Sequence, residues 1–308
     1  MKVLVTGGAG FIGSHIVENL LGKGCAVVVA DDLSTGLAAN VNPAARLVRL
    51  DIAKDDLGPL FTAEMFDFVI HLAAQTAVPK SLAAPAFDCA VNIQGTVNVL
   101  EASRTTGVKR VVFASTAAVY GTAAAVPIPE NTAVAPFSFY GLSKVTAENY
   151  LRLYRDIFAL DYVILRYANV YGERQGDAGE GGVVSIFTRR LAAGEPLDIF
   201  GDGGQTRDFV YAGDVAEANW RALVSPATNA VYNISTGTET SVSELASLLA
   251  KVSGRETAIR RHPPREGDIY RSCLDNRAAA EALSWQPRTS LLDGLANTYR
   301  SLTGGPSS

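Results

Sequence analysis

The chain has 308 residues, of which 48% are hydrophobic and 19% charged, and its 27 Lys and Arg against 31 Asp and Glu leave a net charge of −4. This is the composition of a globular protein with a sizeable core, so it excludes a disordered, collagen-like or disulfide-built chain. The negative charge argues against nucleic acid as a partner, because nonspecific binding to phosphates needs a basic surface.

The first two-thirds of the chain alternates short β-branched runs with helical stretches. Because the apolar runs do not alternate with polar residues, they suit strands that are covered on both faces. The alternation predicts an α/β fold, a Rossmann-like doubly wound parallel sheet with right-handed crossovers. The predicted strands are Lys2–Thr6, Ala26–Ala30, Leu47–Leu50, Phe66–His71, Val111–Ala114 and Tyr162–Arg166, and the predicted helices between them are Phe11–Gly22, Val91–Thr105 and Tyr140–Phe158.

The pattern changes after Tyr171, where the polar, glycine-rich segment Gly172–Gly182 predicts a loop. We predict one domain over residues 1–171 and a smaller α/β lobe over residues 172–308, with later segments such as 208–234 returning to the first domain. The elements predicted beyond the loop are helices Val183–Ala193, Asp214–Val224, Ser243–Ser253 and Arg277–Leu283, and strands Leu197–Phe200 and Val231–Ile234.

The three cysteines Cys25, Cys89 and Cys273 are far apart and form no Cys-x-x-Cys pair. This usage is typical of a reduced, cytosolic protein, and the three histidines are equally scattered, so we expect no metal site. No apolar run reaches the ~20 residues that span a bilayer, and a glycine ends the first apolar run too early for a signal peptide. We therefore expect a cytoplasmic protein without a membrane partner.

Glycines follow the first predicted strand directly. Residues Gly8–Gly13 read G-A-G-F-I-G, which matches G-x-G-x-x-G, and Gly7 adds the related G-x-x-G-x-x-G spacing. Such glycines allow a tight turn and let the backbone approach a pyrophosphate at a helix N-terminus. Asp31 ends the second predicted strand, where a carboxylate can bind both hydroxyls of the adenosine ribose and repel the 2′-phosphate of NADP. Residues 1–171 are therefore predicted to bind NAD; a structural turn beside a solvated Asp31 is the alternative.

A tyrosine and a lysine lie one helical turn apart at the start of a predicted helix. Tyr140 and Lys144 project from the same face. Tyrosine is a poor base because its reference pKa is ~10, but a nearby ammonium and the positive nicotinamide ring favour the phenolate. Ser115 and Thr116 follow the strand Val111–Ala114 at the carboxyl edge where such sheets bind ligands, so a hydroxyl there can bond the reacting oxygen. Without the dinucleotide motif, the same spacing would fit a core tyrosine and a surface lysine.

Motifs along nearly the whole chain resemble those of the extended short-chain dehydrogenase/reductase family, in particular its UDP-glucose (UDP-galactose) 4-epimerase type. The segments that carry the resemblance are Thr6–Gly13, Asp51–Ile52, His71–Gln75, Asn92, Ser115–Gly121, Tyr140–Lys144, Arg166–Gly172, Phe200–Gly203, Arg207–Phe209 and Arg265–Asp268. The resemblance implies an NAD-dependent isomerase that acts on a UDP-sugar through a transient 4-keto sugar.

The resemblance also implies roles for individual residues. Thr116, Tyr140 and Lys144 are expected to be catalytic, with Thr116 and Tyr140 at the sugar 4-hydroxyl. Together with the glycine motif, it predicts NAD contacts from Gly7, Gly10, Phe11, Ile12, Gly13, Asp31, Asp51, Ile52, Leu72, Ala73, Ala74, Asn92, Ser115, Tyr140, Lys144, Tyr167 and Val170. It predicts substrate contacts from Thr116, Asn169, Val183, Phe200, Arg207, Arg265, Asp268 and Ser272. The two arginines also make independent sense, because an acidic protein needs local cations to bind a diphosphate.

Two small residues separate the reactions within this family. Related 4,6-dehydratases place Asp-Glu directly after the threonine, and UDP-glucuronate decarboxylases place a Glu two residues after it, whereas this chain has Ala117 and Ala118. Because alanine cannot transfer a proton, an epimerase is favoured. The alternatives are a UDP-glucuronate or UDP-pentose 4-epimerase, a 4-ketosugar reductase, and a non-catalytic NAD-binding regulator.

The small side chain of Ser272 bears on which sugars the protein accepts. Ser272 falls where narrow-specificity epimerases have a bulky tyrosine, so UDP-GlcNAc and UDP-GalNAc are expected to fit as well.

An apolar stripe on the helix Tyr140–Phe158 and a second one on Val91–Thr105 could pair across a two-fold axis, which predicts a homodimer. The alternative is that both stripes pack on their own sheet. The residues of the stripes are Ala147, Tyr150, Leu151, Tyr154, Ile157 and Phe158, and Ile93, Val97 and Leu100.

Overall fold

The computed structural model of the chain describes residues 1–176, 182–255, 257–265, 267 and 269–304. The strands, numbered in chain order, are β1 Lys2–Thr6, β2 Ala26–Asp31, β3 Arg46–Arg49, β4 Phe68–His71, β5 Arg110–Thr116, β6 Asp161–Tyr167, β7 Asn169–Tyr171, β8 Leu197–Phe200, β9 Thr206–Arg207, β10 Phe209–Tyr211, β11 Ala230–Ile234, β12 Thr240–Ser241 and β13 Ile259–His262. The helices are α1 Phe11–Gly22, α2 Gly58–Glu64, α3 Val78–Ala83, α4 Pro85–Cys89, α5 Gly95–Thr106, α6 Phe139–Phe158, α7 Val183–Ala193, α8 Ala212–Val224, α9 Val242–Ser253, α10 Arg277–Leu283 and α11 Leu291–Thr303.

Seven strands form one parallel sheet in the order β11-β6-β5-β4-β1-β2-β3. Helices α1 and α8 pack together on one face, and α5 and α6 pack together on the other. The continuous apolar runs follow from this burial: Val3 and Val5 of β1 enter one core, while Leu4 between them enters the other. The predicted doubly wound parallel sheet is confirmed.

The strand order reverses beside β1, and this reversal locates the site. The chain passes from β1 through α1 to β2 and β3, then crosses back to place β4 on the other side of β1. In such sheets a crevice opens at the carboxyl ends of the strands where the order reverses. The loops after β1, β4 and β5 therefore border one crevice.

The second part of the chain contributes to two places. After α8, strand β11 pairs with β6 at the edge of the large sheet, so segments beyond residue 171 return to it. The other elements form a smaller lobe in which β13 pairs with β8, β10 with β7 and β12 with β9. Helices α7, α9 and α11 share a separate apolar core there. Residues 177–181 of the predicted loop Gly172–Gly182 lie outside the described residues, and residues 172–176 form no helix or strand, as predicted.

The structure adds elements that the sequence patterns did not predict. Helix α11 begins after Ser290, whose hydroxyl accepts a hydrogen bond from the Asp293 N–H. Helices α2, α3 and α4 are too short to show a clear apolar period, and the predicted helix Val91–Thr105 begins with a π turn over Ala90–Gln94 before α5. Within the described residues, no helix combines the length and apolar character needed to cross a membrane.

Candidate active site

The turn between β1 and α1 has no room for side chains at two glycines. Gly7 has φ +72°, and a Cβ there would lie 2.7 Å from the backbone nitrogen of Ala73 after β4. A Cβ on Gly13 would lie 2.1 Å from the Gly7 carbonyl oxygen. The Gly10 N–H closes the turn by donating to the same carbonyl at 3.2 Å. Only glycine lets these backbone segments meet at the crevice.

The N-terminus of α1 is suited to an anion. In this fully described helix, the N-cap Gly10 offers no side-chain hydrogen bond and the first turn, which includes Phe11 and Ile12, carries no acidic residue. The first N–H groups of a helix have no partners within the helix, and the helix dipole makes this end positive. A pyrophosphate would satisfy both features.

Asp31 at the end of β2 is held by the same turn. Its Oδ2 accepts a hydrogen bond from the Ala9 N–H at 3.0 Å, and its Oδ1 accepts one from the Leu33 N–H at 2.9 Å. Burial raises the pKa of this carboxyl group. Each oxygen keeps a further lone pair, so the carboxylate can still accept from two ribose hydroxyls. The glycine cradle, the helix end and Asp31 together fit an NAD molecule.

Other predicted cofactor residues lie at the same edge of the sheet. Leu72 and Ala73 each donate a backbone N–H to the Thr6 carbonyl at 3.1 Å, which fixes the segment after β4 beside β1, and Ala74 follows directly. Asp51 and Ile52 come after β3. Leu72 and Ala73 are thus backbone neighbours of the cradle, whereas Asp51 and Ile52 lie two strands away at the same edge.

Lys144 on α6 reaches back to the end of β5. Its Nζ donates to the Ala114 carbonyl at 2.9 Å and lies 4.8 Å from the centre of the Phe113 ring. Burial lowers the pKa of this ammonium group to about 8, while the charges of Asp88 and Glu148 oppose that effect. The ammonium of Lys144 therefore lies at the backbone of β5, next to the carbonyl of the residue two positions before Thr116.

Tyr140 is brought to Thr116 by a close helix contact. Ser138 caps α6 by accepting the Gly141 N–H at 3.1 Å. A Cβ on Gly141 would lie only 2.8 Å from the Ala118 carbonyl oxygen, so the first turn of α6 packs against the turn that follows β5. Tyr140 and Thr116 are half-buried there, and Lys144 lies one helical turn farther on. The predicted catalytic residues thus border one site.

Two residues predicted to contact the cofactor have hydroxyl groups that form hydrogen bonds with other side chains. Ser115 is buried and donates to Glu148 Oε1 at 2.6 Å. Tyr167 is buried, and its hydroxyl group exchanges hydrogen bonds with the Asn219 amide on α8 at 3.0 and 2.8 Å; burial raises the pKa of this phenol. These hydroxyl groups therefore lie in the core, while Thr116 and Val170, close to them in the chain, are half-buried, and the predicted contacts with the cofactor stay predictions.

The amide of Asn92 is also used internally. It donates to the Gln75 carbonyl at 2.8 Å and to Ser143 Oγ at 3.0 Å, while its Oδ1 accepts the Gln75 N–H at 2.7 Å. Asn92 therefore connects the loop after β4 to the first turn of α6, and its contact with the cofactor stays a prediction.

A cavity of roughly 570 Å³ lies in the smaller lobe. Pairing of β13 with β8 sets His262 beside Phe200, and the two rings stack with centres 5.0 Å apart. The Arg265 guanidinium lies over the Phe200 ring, 3.9 Å from its centre. The cavity is lined by Phe200, Gly201, Asp202, Gln205, His262, Pro264, Arg265, Ile269 and Tyr270. Stacked rings and a cation suit a nucleotide with its phosphates.

The remaining predicted substrate residues are distributed around this lobe. Arg207 donates to the Ile269 carbonyl at 2.7 Å, which places its guanidinium at the cavity loop. Asn169 is exposed on β7, and Val183 begins α7. Ser272 is half-buried, and Asp268 lies outside the described residues. The sequence patterns missed His262 and Tyr270, because the pairing of β13 with β8 was not predicted.

Comparisons with known proteins agree with this geometry. The model of the NAD dependent epimerase/dehydratase family matches residues 3–235. A UDP-glucose 4-epimerase of Mycolicibacterium smegmatis is 45% identical over 304 residues, 97% of each chain. The crystal structure of UDP-glucose 4-epimerase from Thermotoga maritima with UDP-glucose superposes with a TM-score of 0.94 at 43% identity, covering 99% of both chains. That of Thermus thermophilus UDP-glucose 4-epimerase in complex with NAD has a TM-score of 0.92 at 40% identity, again with 99% of both chains covered.

Proposed function

The chain belongs to the NAD dependent epimerase/dehydratase family, and from this premise we propose that it is an NAD-dependent UDP-glucose 4-epimerase that interconverts UDP-glucose and UDP-galactose. The observation that carries the proposal is that the start of α6, with Tyr140 and Lys144, packs against the carboxyl end of β5, where Thr116 lies. The resemblance seen in the sequence motifs is confirmed at the level of the family.

Each catalytic side chain has a part in moving one proton. Tyr140 as phenolate takes the proton from the sugar O4, and the Thr116 hydroxyl donates a hydrogen bond to that oxygen. The buried ammonium of Lys144 favours the phenolate, because a nearby positive charge stabilises the negative form. When bound, NAD would supply the redox chemistry, by accepting a hydride from C4 and giving it back to the opposite face of the sugar. Tyr140 then gives the proton back to O4.

Inversion requires the sugar to turn while its diphosphate stays bound. The cavity of the smaller lobe supplies the anchor through the Phe200 and His262 rings and the guanidinium groups of Arg207 and Arg265. Near Tyr140, by contrast, the turn after β5 presents only Ala117 and Ala118, which are half-buried and carry no proton donor. Firm nucleotide contacts with few sugar contacts favour rotation of the ring.

The test is interconversion without added cofactor. Catalytic amounts of the purified protein are mixed with UDP-glucose, and the formation of UDP-galactose is followed by NMR, together with the nicotinamide absorbance. We expect an equilibrium mixture with no net change in cofactor. Stoichiometric consumption of nicotinamide would instead indicate a 4-ketosugar reductase, and a panel with UDP-glucuronate and UDP-pentoses separates the other epimerases.

We further propose that N-acetylated sugars are accepted, because a small side chain stands at Ser272. The position is defined by its neighbour: Cys273 is buried, and its carbonyl accepts the Ile128 N–H at 2.9 Å. Ser272→Tyr is expected to lower the conversion of UDP-GalNAc at least about tenfold, while that of UDP-galactose persists, because a phenol ring fills the space of the acetyl group. Rates for both substrates are compared with those of Ser272→Ala, which keeps the space open. Failure of the unaltered protein to convert UDP-GalNAc would refute this proposal.

The homodimer is proposed on a stripe of exposed apolar residues along α6. The predicted stripe divides in the structure: Ala147, Leu151 and Tyr154 are buried against the sheet, as is Leu100 of α5. The other side of α6 is exposed, at 49% for Leu142, 53% for Leu153 and 65% for Ile157, and includes Tyr150 and Phe158. Residues spaced by three and four positions form one face of a helix, and a second copy of the chain would cover it.

We expect a dimer by light scattering after size-exclusion chromatography, and a monomer for Leu153→Glu, because a charge would have to be buried between the two chains. Leu292→Glu, an exposed leucine on α11, is the matched control and should remain dimeric. A dimer that survives Leu153→Glu would place the interface elsewhere.

The cytoplasmic location likewise stays a prediction, supported by three cysteines that are all free.

A further inference from the structure

Asp88 on α4 is a buried carboxylate that the proposed mechanism does not use. It is 1% exposed, and its Oδ1 accepts hydrogen bonds from Gln75 Nε2 at 2.8 Å and Asn92 Nδ2 at 3.2 Å. Its Oδ2 is buried and has no hydrogen-bond partner within the part of the chain that the structure describes. A buried carboxylate with an unbonded oxygen is costly, so a compensating charge nearby would account for it.

The hydrogen bonds around Asp88 lead to the catalytic helix. The Asn92 amide that bonds Asp88 also bonds Ser143 Oγ at 3.0 Å, and Ser143 directly precedes Lys144 on α6. The charge of Asp88 acts on the ammonium of Lys144, where it opposes the effect of burial. The position of the carboxylate is thus set by side chains that also contact the first turn of α6.

The two carboxylates whose charges act on Lys144 differ in whether a cation already forms an ion pair with them. Glu148, on the same helix, forms ion pairs with Arg166 at 2.6 Å and with Arg152 at 3.2 Å. Ser115 of β5 donates to the same carboxylate.

His71 of β4 faces Lys144 as well. Burial, and then the charge of Lys144, lower the pKa of this imidazole to about 3, so it is neutral at ordinary pH. Its ring nitrogens share hydrogen bonds with Thr6 and Thr96. Tyr140 lies one helical turn before Lys144 on α6. Among the described residues, Asp88 is therefore the carboxylate near Lys144 that has no cation in an ion pair with it.

We propose that Asp88 is a positioning residue that holds the ammonium of Lys144 in its protonated form, through a buried negative charge oriented by Gln75 and Asn92. The charge on Lys144 is tested directly, and only its consequence for turnover rests on the proposed epimerase function. In that function a protonated Lys144 favours the Tyr140 phenolate, so Asp88 sets how far toward alkaline pH the enzyme works.

The direction of the pKa shift follows from which form of Lys144 the charge of Asp88 stabilises. Lys144, with its pKa of about 8, is charged below that pH and loses its proton above it. Removing the negative charge of Asp88 favours the neutral amine, which lowers the pKa of Lys144 further by about one unit. The alkaline limb of kcat then moves to lower pH by the same amount, which makes kcat about tenfold lower on that limb.

Asp88→Asn tests the charge with little change in shape. The new amide keeps an oxygen for the hydrogen bonds from Gln75 and Asn92, and its NH2 group takes the place of the unbonded Oδ2. The protein has seven lysines, so the ¹³Cε signals of labelled lysine can be followed by NMR, with Lys144→Met to identify the signal of Lys144. We expect its titration midpoint to fall by about one unit in Asp88→Asn and to be restored in Asp88→Glu.

Gln75→Ala is the matched control, because it removes one hydrogen bond of Asp88 but leaves the charge in place. An unchanged midpoint in Asp88→Asn, or an equal fall in Gln75→Ala, would overturn the proposal. The pH profile of kcat is measured on the same variants. If the unaltered protein shows no epimerase activity, the proposed function fails, while the NMR titration still decides the role of Asp88.

Discussion

Replacing Tyr140 with phenylalanine is expected to lower kcat about a thousandfold, because a general base contributes factors of this order to a proton transfer. The phenyl ring keeps the packing of a half-buried side chain on the first turn of α6 but cannot take the proton from O4. The cradle of Gly7 and Gly13 and the carboxylate of Asp31 are unchanged, so NAD should remain bound. Interconversion of UDP-glucose and UDP-galactose gives the rate, and the nucleotide released on denaturation gives the NAD content.

The matched control for this variant is Tyr150→Phe on the same helix. Tyr150 is 37% exposed and has no part in the proposed chemistry, so its loss of a hydroxyl group should leave kcat close to that of the unaltered protein. Tyr140→Phe with an undiminished rate would contradict the mechanism, and loss of NAD in the same variant would show that the hydroxyl group serves in binding.

Breaking the buried ion pair between Glu148 and Arg166 should have the largest effect on stability. Arg166 is 3% exposed and Glu148 is fully buried, and the two form a bidentate pair, with Nη2 at 2.6 Å from Oε2 and Nε at 2.9 Å from Oε1. Arg166 Nη1 also donates to the Tyr120 hydroxyl at 2.9 Å. The pair connects β6 to α6. Ser115 of β5 also donates to the Glu148 carboxylate.

Arg166→Met is expected to lower the free energy of unfolding by about 3–5 kcal/mol, because it leaves the charge of Glu148 buried without its main partner. The second change Glu148→Gln in the same chain should recover part of this loss, since no charge is then buried alone. Urea unfolding of the two single variants and the double variant measures the coupling.

Arg152 provides the control for this pair, because it binds the same Glu148 carboxylate at 3.2 Å but its side chain is 37% exposed. Arg152→Met should lower stability by less than about 1 kcal/mol, as exposed ion pairs contribute little. Equal losses in Arg166→Met and Arg152→Met would show that burial of the pair does not decide its contribution.

The cofactor site could be predicted from the sequence because its contacts are local. The turn from Gly7 to Gly13 lies within one strand–turn–helix unit, and the spacing of glycines follows directly from the close backbone approach that a pyrophosphate needs. Tyr140 and Lys144 likewise share a helical turn, so their common side follows from helix geometry.

The sequence did not predict the hydrogen bonds of side chains whose partners are distant in the chain. Ser115 and Tyr167 lie at strand ends that face the crevice, but their hydroxyl groups bond Glu148 and Asn219, which are 33 and 52 residues away. A pattern of residues along the chain gives the position of a backbone segment, whereas the hydrogen bonds of a side chain depend on which elements pack beside it.

The sequence by itself determined the parallel sheet, the place of the glycine cradle and the common helical turn of Tyr140 and Lys144, because apolar runs, glycine spacing and helical period are properties of neighbouring residues. Only the tertiary structure decided that β13 pairs with β8, which stacks His262 on Phe200 and forms the cavity. It alone also connected Asp88 to the first turn of α6 through Asn92 and paired Glu148 with Arg166. The physical reason is that burial and charge compensation arise between elements, and they exist only once the chain has folded.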